Sequence, residues 1–202
     1  MLVDEFGKDY GKYFSILSLI AQGRNTRSEL ENILNIKELS GYLKNLNEEY
    51  GLISKMQPIY EKSTNKNVHY AIEDQFLKFW FRFVYKYMHI IEAGSNEKLK
   101  IIAERDFATV SGKSLESYFN EVLKESGAYT RLGYWHDRKG ENEIDIIAED
   151  ELDNKIEFIE VKRQAKNFDE NVLKAKSELF FKAVGTFKGY AVIYRGLSID
   201  DM

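Results

Sequence analysis

From Asp9 to Gln22, apolar residues fall at Tyr13, Phe14, Ile16, Leu17, Leu19 and Ile20, the spacing of a helix with one buried face, and Gly23 ends the run. Thr26 stands three residues before Glu29, a capping-box spacing that predicts a short second helix through Ile33. After a turn at Leu34-Asn35, the positions Leu39, Tyr42, Leu43 and Leu46 mark a third helix that ends near Tyr50-Gly51. Leu52-Ile53-Ser54-Lys55 and Val68-His69-Tyr70-Ala71-Ile72 then flank a polar tip at 61–67 and read as a hairpin. Helix, helix, helix, hairpin over residues 1–72 is the order of a winged helix-turn-helix.

The stretch 74–87 is the most aromatic of the chain. At helical spacing Phe76, Phe79, Trp80, Phe83, Val84 and Tyr87 form a broad stripe opposite Lys78, Arg82 and Lys86. Aromatic and basic residues together can stack on bases, but a stripe of this width predicts a buried connector helix, because rings bury so much area. Residues 73–108 are therefore read as a helical connector, broken at Gly94-Ser95-Asn96, with a domain boundary near Thr109. Beyond it, a helix from Ser111 turns Leu115, Tyr118, Phe119 and Val122 inward, with Glu116 beside that face. Two Ile- and Val-rich runs on either side of the polar turn 149–154 predict antiparallel strands. A helix over 170–181 and a last strand over 189–194 complete 109–202 as an α/β sheet covered by helices.

Composition narrows the chemistry. The 202 residues contain no Cys, so disulfides and thiolate metal sites are excluded and any metal would rest on oxygen or on the three His. The lack of Cys favours a cytoplasmic setting. No apolar run approaches the roughly 20 residues of a membrane-spanning helix, and Asp4, Glu5 and Asp9 are unlike the start of a signal peptide. Charge is mildly divided: residues 1–100 hold 14 Lys/Arg against 13 Asp/Glu, and residues 101–202 hold 15 against 20. Neither half is a basic arm, so a nucleic-acid contact requires a local patch. On the third helix Lys44 and Asn45 suit phosphate or base contact, while Glu38, Glu48 and Glu49 repel a phosphate backbone. Lys62 and Lys66 at the hairpin tip, with Asn65, are the better phosphate contacts. Docking of this module onto protein stands as an equal reading, because a fold does not set a function.

In Ile156-Glu157-Phe158-Ile159-Glu160-Val161-Lys162, period two places Glu160 and Lys162 on the face of Ile156 and Phe158. Antiparallel pairing across the 149–154 turn brings Asp145 beside Glu160. Two carboxylates held that close call for a cation between them, and Mg²⁺ or Mn²⁺ is the natural choice for oxygen donors, with the Val161 carbonyl as a further ligand. Lys162 would then stand beside the metal-bound water and the charge developing on a phosphate. The alternative is a buried ion-pair network that only fixes strand register.

Glu116, Asp145 and Glu160-Val161-Lys162 together resemble the PD-(D/E)XK nuclease superfamily, whose pattern is Glu, then Asp, then (Asp/Glu)-x-Lys. That resemblance implies a restriction-endonuclease-like α/β fold for 109–202, Asp145 and Glu160 as metal ligands, Lys162 as the catalytic lysine, Glu116 as an accessory ligand and Gln164 as a residue often found after the lysine. A wider likeness covers nearly the whole chain. Tyr13 to Leu17 with Ile20 to Gly23, Tyr70 to Phe83, Gly112, Glu116, and Trp135 to Ile146 with Glu160-Val161-Lys162 resemble the C-terminal region of archaeal-type ATPases, in which a nucleotide-binding domain precedes a winged helix and a nuclease-like domain. No Gly-x-x-x-x-Gly-Lys-(Ser/Thr) occurs here, so no P-loop ATP site and no ATPase activity are expected of this chain. The resemblance implies such activity for a longer parent. DNA, or an ATPase domain or other protein, is the expected partner. The expected role is a DNA-binding, nuclease-like module capable of Mg²⁺-dependent phosphodiester hydrolysis, or else an inert regulatory or adaptor module.

Overall fold

The computed structural model describes residues 2–61, 68–137, 140–185 and 187–202. Its backbone gathers into two compact units, Met1–Met56 with Thr64–Arg105, and Gln57–Ser63 with Asp106–Met202.

The first unit opens with α1 (Leu2–Phe6), α2 (Tyr10–Ala21), α3 (Arg27–Leu34) and α4 (Ser40–Lys44), the last running on as a π-helical turn over Asn45–Glu49. The antiparallel pair β1 (Ile53–Met56) and β2 (His69–Ile72) follows, with Ile53 opposite Ile72. The capping box at α3 is formed in full: the Thr26 hydroxyl accepts from the Glu29 N–H, and the Glu29 carboxylate accepts from the Thr26 N–H. Asn35 ends the helix in the left-handed region, which relieves the last turn. Tyr13, Phe14, Ile16, Leu17 and Ile20 of α2 meet Leu30, Leu39, Leu43, Leu46, Ile53 and Ile72 in one core. Burial of such aliphatic side chains contributes about 1.5–3 kcal/mol each.

The aromatic stretch departs from its expected phase. It forms α5 (Gln75–Phe79), a π-helical segment over Trp80–Tyr85 and α6 (Met88–Glu92). Phe76 and Phe79 are 69% and 49% exposed, whereas Phe81 is fully buried; Phe83 is buried as expected, and Leu77, Trp80 and Tyr85 pack on the core around Phe81. A π turn takes up an extra residue, so across Trp80–Tyr85 a face counted at 3.6 residues per turn shifts and Phe81 joins Phe83 inside. The helix expected from Ser111 also starts earlier: α7 is continuous over Asn96–Glu125.

In the second unit a four-stranded sheet has the order β3 (Arg131–His136), β4 (Glu143–Asp150), β5 (Lys155–Val161) and β6 (Ala191–Leu197). The β3–β4 and β4–β5 pairs are antiparallel. The β5–β6 pair is parallel, joined through α8 (Glu170–Val184). Leu173 and Phe180 of α8 cover Ile144, Ile147, Ile156 and Phe158, while Leu115, Phe119 and Leu123 of α7 share a core with Ile146, Ala148, Ile159 and Val161. Alternate residues of β5 thus serve two cores, which is why the strand is nearly continuous in apolar residues. Tyr118 and Val122 were expected on the inward face of α7 but are 36% and 42% exposed, because the buried line runs at four-residue steps through 115, 119 and 123. Among the described residues no helix is long and apolar enough to cross a membrane.

Candidate functional site

The register of the sheet assembles the candidate residues. Ile146 pairs with Ile159, so the next positions along the antiparallel pair are Asp145 and Glu160. On the other side of β4, Gly133 pairs with Ile147 and Trp135 with Ile144, leaving Asp145 and Ile146 together opposite Tyr134. Asp145 therefore lies in a β-bulge, a device that re-aims a side chain out of the regular alternation. Its carboxylate turns toward β5 and accepts a hydrogen bond from the Val161 N–H at 2.8 Å.

Glu160 is buried, and both its oxygens are occupied. Lys162 Nζ lies 2.6 Å from Oε1, and Lys176 Nζ, from α8, lies 3.0 Å from each oxygen. Glu116, on α7, pairs with Lys113 at 2.8 Å, and the same ammonium reaches Glu143 at 3.4 Å. The β6 position paired with Glu160 is Gly196. A Cβ there would lie 2.5 Å from Cγ of Phe168, so glycine is what lets that ring pack down on the strand.

These charges act on one another. Burial, then the charges of Glu116 and Glu160, push the Asp145 carboxyl up to about 7, against smaller opposing effects of the Val161 N–H and Lys162. Burial raises Glu116 as well; Lys113 opposes the shift and Glu143 adds to it. Burial works against the charge of Lys162, yet the hydrogen bond to Glu160 and the fields of Glu160, Asp145 and Glu116 hold its ammonium above the ordinary lysine value. Lys113 is held above it in the same way, burial being outweighed by Glu116, Glu143 and Asp145.

Asp145, Glu160, Lys162 and Glu116 are thus within one another's electrostatic reach. As they stand they do not fit a divalent ion. Among the described residues no group of three or more His, Cys, Asp or Glu is arranged to hold a metal. Glu160 has no oxygen free of an ammonium, whereas Mg²⁺ requires carboxylate oxygen at about 2.0–2.1 Å.

The expected nucleic-acid contacts fare unevenly. Lys44 is exposed and stands 3.8 Å from Glu48 on its own helix. Asn45, expected on the solvent face, is half-buried and donates through Nδ2 to the Tyr13 hydroxyl at 3.0 Å. The π turn that begins at Asn45 carries it toward α2. Lys62 and Lys66 lie outside the described residues.

Lys176 and Lys113 were not singled out from the sequence. Each left a signal: Lys176 falls three residues after Leu173 and four before Phe180, on the apolar stripe of α8, and Lys113 falls one turn before Glu116. A lysine on a buried stripe needs a buried anion, and Glu160 is that anion.

Residues 80–174, a little under half of the chain, match the family DUF234, described as archaea bacterial proteins of unknown function. The chain is also similar to the uncharacterized protein MJECL04 of Methanocaldococcus jannaschii, with 34% identity over 181 residues that cover 85% of this chain. The matched region is 40% of that protein, so the chain spans well under half of its relative's length. No solved structure matches.

Proposed function

We propose that this chain is the winged-helix and nuclease-like region of an archaeal-type ATPase, and that its second unit is a phosphodiester-directed centre for nucleic acid. The observation that carries this reading is the placement of Asp145 against β5 by a bulge, beside Glu160 and within reach of Glu116, with the ammonium of Lys162 on the same strand face. Three acids and a lysine drawn from one helix and two strands are the set that the PD-(D/E)XK resemblance implies. The match to 40% of a longer archaeal protein is in keeping with a part of a larger architecture. Lys162 supplies this chain's own chemistry toward a phosphodiester. Its side chain is 36% exposed and it stays charged, so it can donate to a phosphate oxygen while tied to Glu160. Phosphodiester hydrolysis would in addition require a divalent cation such as Mg²⁺ or Mn²⁺.

One observation favours the second reading, an adaptor that docks on an ATPase domain or another protein. Asn45 is bonded inward to Tyr13 and Lys44 faces Glu48, which leaves the third helix little to offer DNA. Fluorescence anisotropy of the purified chain with labelled single- and double-stranded DNA and RNA separates the two. The nucleic-acid reading expects affinity that falls steeply with salt, by a log–log slope of about 0.7–0.9 per phosphate contact, and a loss of about fivefold in Lys162→Ala at 50 mM salt. Affinity that Lys162→Ala leaves unchanged, or no measurable binding to any of the four ligands, overturns it in favour of the adaptor.

A further inference from the structure

The two ammonium groups on Glu160 are unequal. Lys162 lies two residues after Glu160, just past the end of β5, meets one oxygen and is 36% exposed. Lys176 comes from a different element, straddles both oxygens at 3.0 Å and is only 19% exposed. It reaches Glu160 from the buried line of α8, between Leu173 and the fully buried Ser177. A lysine loses much side-chain freedom when held in this way, and its ammonium loses water. Both losses are offset by the carboxylate it neutralises.

Three carboxylates, on Glu116, Asp145 and Glu160, face three ammonium groups, on Lys113, Lys162 and Lys176. Lys113 sits one turn from Glu116 on its own helix and reaches Glu143 with the same ammonium, and Lys162 follows Glu160 two residues along the chain. Lys176 is the one that crosses from another element to bridge both oxygens of an acid. A divalent ion on Glu160 would have to share an oxygen with that ammonium, and two cations about 3 Å apart in a poorly solvated place repel strongly.

We infer that Lys176 stands in for the divalent cation: it is a built-in counter-ion of Glu160 that excludes Mg²⁺ or Mn²⁺ from the Asp145–Glu160 pair. The inference deepens the phosphodiester reading and rests on it for the identity of the centre. It makes the described arrangement a locked form, in which the centre can bind a phosphate through Lys162 but cannot take up a metal. Withdrawal of Lys176 from Glu160 is then what makes the acids competent to hold the ion.

The test is Mn²⁺ binding to the full chain, read from the electron paramagnetic resonance of free Mn²⁺, with folding checked by circular dichroism. Lys176→Met keeps the stem and removes the charge, and Lys176→Gln serves as the second variant where methionine impairs folding. Either is expected to bind Mn²⁺ at least tenfold more tightly than the unmodified chain. Lys176→Arg, which keeps the charge, is expected to stay within twofold of it, and adding Asp145→Asn to Lys176→Met should abolish the gain. Affinity in both neutral variants within twofold of the unmodified chain, at whatever level that chain binds, overturns the inference. A chain that binds Mn²⁺ tightly through Asp145 with no effect of Lys176 would sink the lock while leaving the phosphodiester reading intact. Absence of binding in every form would sink both the lock and any cation-dependent cleavage.

Discussion

Glu149 and Glu160 lie on the same face of the sheet at opposite ends, and both are buried, with side chains 4% and 10% exposed. They are neutralised by different chemistry. Glu149 accepts from the Tyr60 hydroxyl and faces the Arg131 guanidinium at 3.4 Å. Arg131 in turn lies 4.7 Å over the Tyr60 ring and bonds Glu151 at 2.9 Å. Tyr60 is wedged against Phe180 and Phe187, with its backbone held in the left-handed region at φ 65°. Tyr190 also hydrogen-bonds Glu149, so planar partners close around this carboxylate in a knot. Glu160 has lysines instead, compact charges on flexible stems, and beside it an aspartate whose ionisation is strongly disfavoured. Burial of a charge does not by itself mark a site; a displaceable counter-ion next to a perturbed acid is the better sign.

The comparison breaks most visibly at the Glu149 end. Glu149→Ala takes the acceptor from the Tyr60 hydroxyl and one of two carboxylates from the half-exposed Arg131, which keeps Glu151, so the chain should lose about 2 kcal/mol of stability in urea unfolding. Nucleic-acid affinity of the folded protein should not change. A loss below about 1 kcal/mol would mean that the knot does not anchor this end of the sheet.

Much of this was legible in the residue pattern, and what was missed has definite causes. Period two and the 149–154 turn were enough to bring Asp145 to Glu160, because one strand pair and one turn fix that register. The bulge that re-aims Asp145 was not legible, since it depends on how Gly133 and Trp135 pair across β3. Lys176 was not legible because a lysine ammonium is ordinarily solvated, although its place between Leu173 and Phe180 argued otherwise. The exposed Phe76 and Phe79 mark the limit of helical counting: in the π-helical segment that follows them the buried rings are Phe81 and Phe83, and of these the stripe included Phe83 alone. The Glu149 knot was missed because Tyr60, outside any strand, is far from Glu149 along the chain.

At the other end the next effect has the opposite sign. The Asp145 carboxyl sits at about 7 in the folded chain, against its ordinary 3.8. A raised value means that the folded state binds the proton more tightly than the unfolded one. Its stabilising effect is complete below about pH 4 and is lost as the pH rises through about 7, where a buried carboxylate must form. Asparagine keeps an oxygen for the Val161 N–H and has no charge to bury. Asp145→Asn should therefore match the parent near pH 4 and exceed it by about 2 kcal/mol at pH 8, roughly half of what the full shift would give, because Asp145 keeps some solvent contact. Equal stability of the two at pH 8 would remove the electrostatic strain that distinguishes this end.

The smallest effect tests whether the Glu149 knot is cooperative. Tyr60→Phe removes only the hydroxyl; the ring still lies under Arg131, and Arg131 still faces Glu149. A cost of about 1 kcal/mol is expected, that of one hydrogen bond to a charged acceptor whose other partner remains. The same substitution in Glu149→Ala should cost almost nothing, since the hydroxyl then has no carboxylate to meet, and the difference between the two backgrounds is the coupling energy of the pair. Equal costs in both backgrounds would assign the effect of Tyr60 to its ring packing on Phe180 and Phe187. Glu149 would then be held by Arg131 and Tyr190 without help from Tyr60, and the contrast with Glu160 would reduce to arginine against lysine.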